Sequence, residues 1–285
     1  MKSLRLSSPA KLNLYLKVLF KRPDGFHELR TVFERIDLKD ELEFFPHQNG
    51  QIQIKCNHPQ VPTGPQNLVY RAVRLLQMTC GVTHGVAVHI DKRIPVAAGL
   101  AGGSSNAATT LMALNKLWRL GLRHDELAGL AGQLGSDVAF FLYDCPWALG
   151  EGRGEKITPL DINQRFWHIL VTPKRKMLTP KVYGAMNLKL TNKKDDANIL
   201  IHYLKEKDIN NIISFLSNDL EQSILTIAPG LGSVVKRIKG LGVKGVSFSG
   251  SGPSVYGLLS SKGEAEYLCT VLKKRYSQVF AVRTC

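Results

Sequence analysis

Pro95-Val96-Ala97-Ala98-Gly99-Leu100-Ala101-Gly102-Gly103-Ser104-Ser105-Asn106 is a run of small residues that opens straight into a helical pattern. Ala107, Ala108, Leu111, Leu114 and Trp118 then recur three or four residues apart, the spacing of one helix face. Side chains this small let backbone N–H groups come close to a ligand. The helix start behind them adds unsatisfied donors and a partial positive charge, so the segment suits an anion, phosphate above all. A plain loop with a Ser N-cap would read the same way. The remaining motifs have to decide between the two.

Upstream of this loop the chain favours strands. From Ala10 to Val18 it alternates, with Ala10, Leu12, Leu14, Leu16 and Val18 on one face and Lys11, Asn13, Tyr15 and Lys17 on the other. That is the period of a half-buried strand, and it points Lys11 and Asn13 the same way. Glu41–Phe45, Gln51–Lys55 and Gly85–Ile90 are further strand-like segments. Downstream, Leu127, Leu130, Ala131 and Leu134 mark a second helix after Asp125, which Gly135 can end. The Gly150–Gly154 stretch and the polar run Asp161–Arg165 mark a boundary. Beyond it, strands are expected at Trp167–Val171, Val243–Ser249 and Val255–Leu259, with helices at Asp196–Lys205, Ile209–Leu216, Gly232–Lys239 and Gly263–Arg275. Strands and helices mix without strict alternation, so the expected class is α+β, in two domains of residues 1–160 and 161–285.

Composition narrows the function classes. With 285 residues, 44% hydrophobic and 21% charged, the chain can bury a core of its own and is neither disordered nor fibrous. Cys56, Cys80, Cys145, Cys269 and Cys285 are odd in number and none forms a C-x-x-C pair, which suits reduced thiols in a cytosol. Lys11 and Lys17 break up the N-terminal segment, and no stretch reaches the roughly 18 apolar residues of a membrane span. A cytoplasmic protein with no membrane partner is expected. The formal charge of +15 invites acidic partners: nucleotides, phosphorylated metabolites or nucleic acid. The densest basic clusters, Lys174-Arg175-Lys176, Lys236-Arg237 and Lys273-Lys274-Arg275, carry no interleaved aromatics, so no specific nucleic acid is expected.

Two familiar phosphate loops are excluded. No G-x-x-x-x-G-K-[ST] occurs. Gly240-Leu241-Gly242-Val243-Lys244-Gly245 matches G-x-G-x-x-G, but it follows a helix and precedes a strand, the reverse of the order a dinucleotide site needs.

Three segments in order now give a resemblance. Ser8-Pro9-Ala10-Lys11-Leu12-Asn13-Leu14, the loop Pro95–Ser105, and Ser247-Phe248-Ser249-Gly250-Ser251-Gly252-Pro253-Ser254 resemble the three motifs of the GHMP kinases, the central one being their ATP-binding loop. Arg22-Pro23-Asp24-Gly25-Phe26-His27-Glu28-Leu29 and Gly135-Ser136-Asp137-Val138 resemble the substrate loop and the catalytic aspartate motif of the branch that acts on diphosphocytidyl-methylerythritol. Phe26 stands where that branch usually has Tyr, and Ala97, Ala98 and Ala101 stand where Gly is frequent. Those alanines would matter only where the backbone needs a positive φ.

The resemblance implies a two-domain GHMP kinase fold with a deep cleft, its ATP-binding domain at 1–160 and its C-terminal domain at 161–285. It implies transfer of the γ-phosphoryl of ATP, with Mg²⁺, to the 2-hydroxyl of a methylerythritol cytidine diphosphate in non-mevalonate isoprenoid synthesis. Asp137 would orient that hydroxyl and take its proton, and Lys11 would stabilise the phosphoryl oxygens. Residues 95–105 would wrap the ATP phosphates, with Ser104 or Ser105 near the metal; no carboxylate metal ligand is identified. Asn13, Phe26, His27, Asp137, Thr179 and Tyr183 would hold the substrate, Phe26 and Tyr183 stacking on cytosine and His27 hydrogen-bonding its edge. A homodimer is left open. The alternatives are a homoserine or mevalonate type of GHMP kinase, which the Asp-Gly-Phe-His loop argues against, and a basic nucleic-acid-binding protein, which rests on charge alone.

Overall fold

The structure, a computed structural model, describes residues 3–187 and 194–285. Along the chain the elements are β1 (Leu4–Lys21), β2 (His27–His47), β3 (Ile52–Cys56), α1 (Leu68–Cys80), β4 (Gly85–Asp91), α2 (Gly102–Leu117), α3 (His124–Leu134), β5 (Trp147–Gly152), β6 (Lys156–Pro159), β7 (Trp167–Val171), α4 (Thr179–Gly184), α5 (Ala197–Glu206), α6 (Ile209–Phe215), β8 (Ser217–Asn218), α7 (Glu221–Ile227), α8 (Leu231–Lys239), β9 (Gly245–Phe248), β10 (Val255–Leu259), α9 (Lys262–Lys273) and β11 (Val279–Arg283). This is the expected α+β mixture. It falls into two compact units that interleave along the chain: residues up to Ala10 with Leu38–Val96 and Ala101–Asp144, and Lys11–Asp37 with Ala97–Leu100 and Cys145–Cys285. The long strands β1 and β2 each run through both.

In the first unit β3 lies parallel to β4, and β4 pairs antiparallel with the second half of β2, from Glu41↔Asp91 to His47↔Gly85. Among the described residues three α-helices belong to it. Helix α1 starts on Asn67, whose side chain accepts from Val69 N–H, and ends on Gly81 in the left-handed region at φ +62°, the usual pairing of caps. Its buried Val69, Ala72, Val73 and Leu76 form one face. Helix α2 packs against both α1 and α3. Small residues let it be enclosed nearly all round: Ser105, Asn106, Ala107, Ala108, Thr109, Thr110 and Leu111 are all buried.

The second unit is built on an antiparallel sheet in the order β11-β7-β10-β9. Strand β10 lies inside that order and every one of its residues is buried. Ile169, Val171, Val234, Ile238, Phe248, Leu268 and Leu272 pack into one core with it, each such side chain contributing about 1.5–3 kcal/mol relative to exposure. In this unit the first half of β2 pairs with β5 and β5 with β6, while β1 gains β8 as a parallel neighbour only at Tyr15↔Ser217 and Leu16↔Asn218. The rejected G-x-G-x-x-G match joins α8 to β9, helix to strand, in the order expected from sequence.

Candidate active site

The loop and helix start singled out above combine left-handed backbone with an uncapped helix N-terminus. Helix α2 begins after Ala101, which sits at φ +55° and offers no side-chain cap. The N–H groups of its first turn are therefore left for a ligand, with the helix dipole behind them. Ala97 also has φ +55°, so two of the three Ala-for-Gly departures fall where Gly would be easier, at about 1–2 kcal/mol each. Ser105 Oγ is buried and accepts from Ser8 Oγ at 2.7 Å. That contact joins the first and second motifs.

The approach to the loop is held by a buried ion pair. Lys92 Nζ donates to Asp40 Oδ2 at 2.8 Å and to Ile94 O at 2.6 Å, while Asp40 Oδ1 accepts from the N–H groups of Arg93 and Ile94, both at 2.8 Å. Burial pulls the Lys92 ammonium below the usual lysine range against the opposing pull of Asp40. A Cβ on Gly102 would stand 2.9 Å from Lys92 Nζ and from Ile94 Cγ2, so a larger residue there would push on the side chains of this pair. One turn further on, Asn106 Oδ1 is buried without a hydrogen-bond partner among the described residues. An orphaned acceptor next to an uncapped helix start fits a bound nucleotide.

In the second unit the alternation of β1 brings Lys11 and Asn13 together as expected. Lys11 Nζ donates to Asn13 Oδ1 and lies 5.1 Å from the centroid of the Phe33 ring. Asn13 Nδ2 donates to Thr31 Oγ1 at 2.8 Å, and Thr31 Oγ1 donates to Tyr15 O at 2.6 Å. Lys11 is 3% exposed, Asn13 2% and Thr31 1%, so a buried ammonium and a fixed amide are presented from a rigid strand. Along this stretch the strand edge is satisfied by other groups: Lys11 N–H donates to Leu100 O at 3.2 Å, and Tyr256 OH donates to Asn13 O at 3.2 Å.

The third motif closes on the same place. Ser249 Oγ donates to Gly99 O at 3.0 Å, and a Cβ on Gly99, whose φ is +79°, would stand 2.1 Å from Ser249 O. A Cβ on Gly252 would stand 2.2 Å from Ala98 C and Gly99 N, and one on Gly250 3.1 Å from Asn13 Oδ1 and 3.5 Å from Lys11 Nζ. The glycines of this motif are there for backbone contact with the loop. Residues 98 and 99 meet the turn at 249–252.

The expected cytosine group is also in the second unit. His27 and Tyr183 stack at a centroid distance of 5.1 Å and 29°. Phe26, half exposed, faces the Arg153 guanidinium at 4.9 Å. The loop is braced by Arg22, which pairs with Asp24 and Glu28, and by Asp24, which accepts from Phe26 N–H. Burial, reinforced by the charge of Lys21, lowers the His27 pKa, leaving a neutral ring at pH 7. Thr179 shares a hydrogen bond with Ser251, 2.8 Å between their hydroxyls, so the substrate candidates reach the third motif.

Asp137 belongs to the first unit. It is half-buried in the turn that follows α3, where Val138 N–H donates to Gly135 O at 3.2 Å. Among the described residues no three His, Cys, Asp or Glu side chains cluster as a metal site. Thr31, Ser249, Tyr256 and Arg153 escaped the sequence reading. Each is remote in sequence from the residue it serves, and only the third-motif Ser249 lay inside a motif already quoted.

Comparison with known proteins gives the family. Residues 67–145 match the family of GHMP kinases N terminal domains, and residues 200–278 match GHMP kinases C terminal. A 4-diphosphocytidyl-2-C-methyl-D-erythritol kinase from Geobacillus sp. (strain WCH70) is 42% identical over 98% of this chain and 96% of its own. The kinase of the same name from Brevibacillus brevis is 38% identical over 98% and 95%. A crystal structure of a 4-(cytidine 5'-diphospho)-2C-methyl-D-erythritol kinase superposes with a TM-score of 0.84 at 32% identity, covering 99% of this chain and 100% of that one. A homoserine kinase from Cytophaga hutchinsonii, at 18% identity and a TM-score of 0.77, shares the fold. The chain therefore belongs to the GHMP kinases, in the family of the 4-diphosphocytidyl-2-C-methyl-D-erythritol kinases.

Proposed function

We propose that this cytosolic kinase transfers the γ-phosphoryl group of ATP to the 2-hydroxyl of 4-diphosphocytidyl-2-C-methyl-D-erythritol. The observation that carries the reading is likeness at 42% identity across nearly the whole chain to a kinase of that name, and the positions of Lys11, Asn13 and the glycine-rich loop support it. The family matches at 67–145 and 200–278 also suit an ATP-binding domain over 1–160 and a C-terminal domain over 161–285.

In this reading the acceptor hydroxyl oxygen attacks the γ-phosphorus, the bond to the β-phosphate oxygen breaks, ADP leaves, and the hydroxyl proton passes to the Asp137 carboxylate. Transfer of this kind has a loose transition state in which positioning and charge stabilisation do most of the work. Lys11 supplies positive charge to the phosphoryl oxygens, and Asn13, held by Thr31, orients the acceptor. Residues 95–105 wrap the phosphates with the uncapped turn of α2. Mg²⁺ carried on the nucleotide would supply charge neutralisation, and Ser104 would be the hydroxyl to hold it, because Ser105 is already bonded to Ser8. Phe26 and Tyr183 give aromatic faces to the cytosine, His27 reads its edge, and Thr179 lies beside them. Stacking is indifferent to the base and worth about 1–3 kcal/mol, so selectivity falls to hydrogen bonds that uracil would leave unpaired. ADP release with the cytidine substrate beside its uridine analogue tests this. A preference for cytidine of at least about tenfold is expected, and equal use of both would remove the assignment of Phe26, His27 and Tyr183.

A further inference from the structure

Asn218 lies outside every motif singled out above, yet its backbone and side chain serve different parts of the site. Its backbone lies in β8, paired with Leu16 of β1, the strand that carries Lys11 and Asn13. Its side chain is 6% exposed and donates through Nδ2 to Phe248 O at 3.0 Å and to Gly250 O at 2.8 Å, while Oδ1 accepts from Leu220 N–H at 2.9 Å. Both amide hydrogens are thus spent on carbonyls that flank Ser249. Ser249 in turn holds Gly99 O, and Gly252 lies against the backbone of Ala98 and Gly99. We propose that Asn218 is a positioning residue: it fixes the turn 249–252, and through it the phosphate-loop backbone at residues 98–99, in register with Lys11 and Asn13.

The alternative, a residue that merely stabilises the fold, makes different predictions. This inference rests on the phosphoryl-transfer reading, in which a displacement of about 1 Å at the reacting groups costs on the order of 10²-fold in rate. Asn218→Asp keeps the shape and the acceptor for Leu220 N–H but aims a carboxylate at two carbonyl oxygens, so the turn must move away. Asn218→Ala removes the donors without repulsion and lets water reach the carbonyls.

The test measures kcat and KM for each substrate, per folded molecule by near-ultraviolet circular dichroism and well below the melting temperature, together with hydrogen exchange of the amides of Ser249 and Gly252, which donate to Ser254 O and Ser249 O. For Asn218→Asp the expected result is a 10- to 100-fold fall in kcat, KM values within about threefold, and exchange at Ser249 and Gly252 at least tenfold faster; Asn218→Ala should show the same pattern more weakly. Normal kcat per folded molecule, or unchanged exchange at those two amides in the Asp variant, would overturn the proposal. The exchange arm needs no substrate. A wild-type protein inert towards the cytidine substrate would therefore sink the functional reading while exchange still decides the role of Asn218.

Discussion

Replacing Gly252 by Ala probes the contact on which the phosphate loop rests. The new Cβ would stand 2.2 Å from Ala98 C and Gly99 N and 2.3 Å from Ala98 O, all backbone atoms that cannot swing away. Non-bonded carbons settle about 3.5–4.0 Å apart, so turn and loop have to separate by more than about 1 Å. Overpacking of this kind costs about 1–3 kcal/mol of stability. The larger effect should be kinetic, because the displaced atoms belong to the segment proposed to hold the phosphates: a fall of roughly 10²-fold in kcat/KM for ATP is expected. ADP release at varied ATP, with a thermal melt of each protein, provides the assay. Gly103→Ala is the control for the thermal melt. Its Cβ would meet only Leu68 Cδ1, at 3.6 Å, and Ala in the first turn of α2 should leave the melting temperature unchanged or raised. A Gly252→Ala protein with kcat/KM for ATP within threefold of wild type and an unaltered melt would refute the packing argument.

Other expectations follow from the same geometry. Asp137→Asn keeps the shape but removes the proton acceptor, and kcat should fall by about 10² to 10⁴ with ATP affinity little changed in equilibrium titration. Burial and Lys21 hold the folded-state pKa of His27 below its ordinary value; the unfolded chain takes up that proton first, near about 6.5, so the His27 contribution to stability is intact above that pH and lost as pH falls through the lower folded value. A pH profile of kcat/KM for the cytidine substrate should decline over the same acid window, and His27→Gln should abolish that decline. Ala101→Gly relieves a left-handed alanine at φ +55° at the expense of a more flexible unfolded chain, so chemical denaturation should show stability unchanged or raised by up to about 1 kcal/mol.

Much of this could be read from the chain because the relevant signals are local. Strand β7 and strand β10 fall at the expected residues, and α2, α5, α6 and α9 within a few of them, since each has a clear periodicity and a turn or cap at its ends. Helix α1 was missed although its signs were present: Asn67 as N-cap, Val69, Ala72, Val73 and Leu76 on one face, Gly81 at the end. The interleaving of the two compact units was not legible, because composition marks a boundary near residue 160 but does not reveal that β1 and β2 are long enough to serve both. In the site, the shared face of Lys11 and Asn13 followed from a two-residue period, and their roles only from the resemblance. Thr31, Asn218 and Tyr256 did not, because each acts through a bond to a residue 18 or more positions away or to a backbone carbonyl, and single polar residues carry no periodic signal of such contacts. The φ of Ala97 and Ala101 was likewise beyond the sequence, which showed only that the departure from Gly would matter if φ were positive.

The most direct test of the central claim is ATP-dependent phosphorylation measured with 4-diphosphocytidyl-2-C-methyl-D-erythritol, homoserine and mevalonate side by side, the position of the new phosphate being read by phosphorus and carbon magnetic resonance. The account predicts turnover with the first compound alone and phosphate on its 2-hydroxyl. An inert cytidine compound, with homoserine or mevalonate phosphorylated in its place, would contradict it.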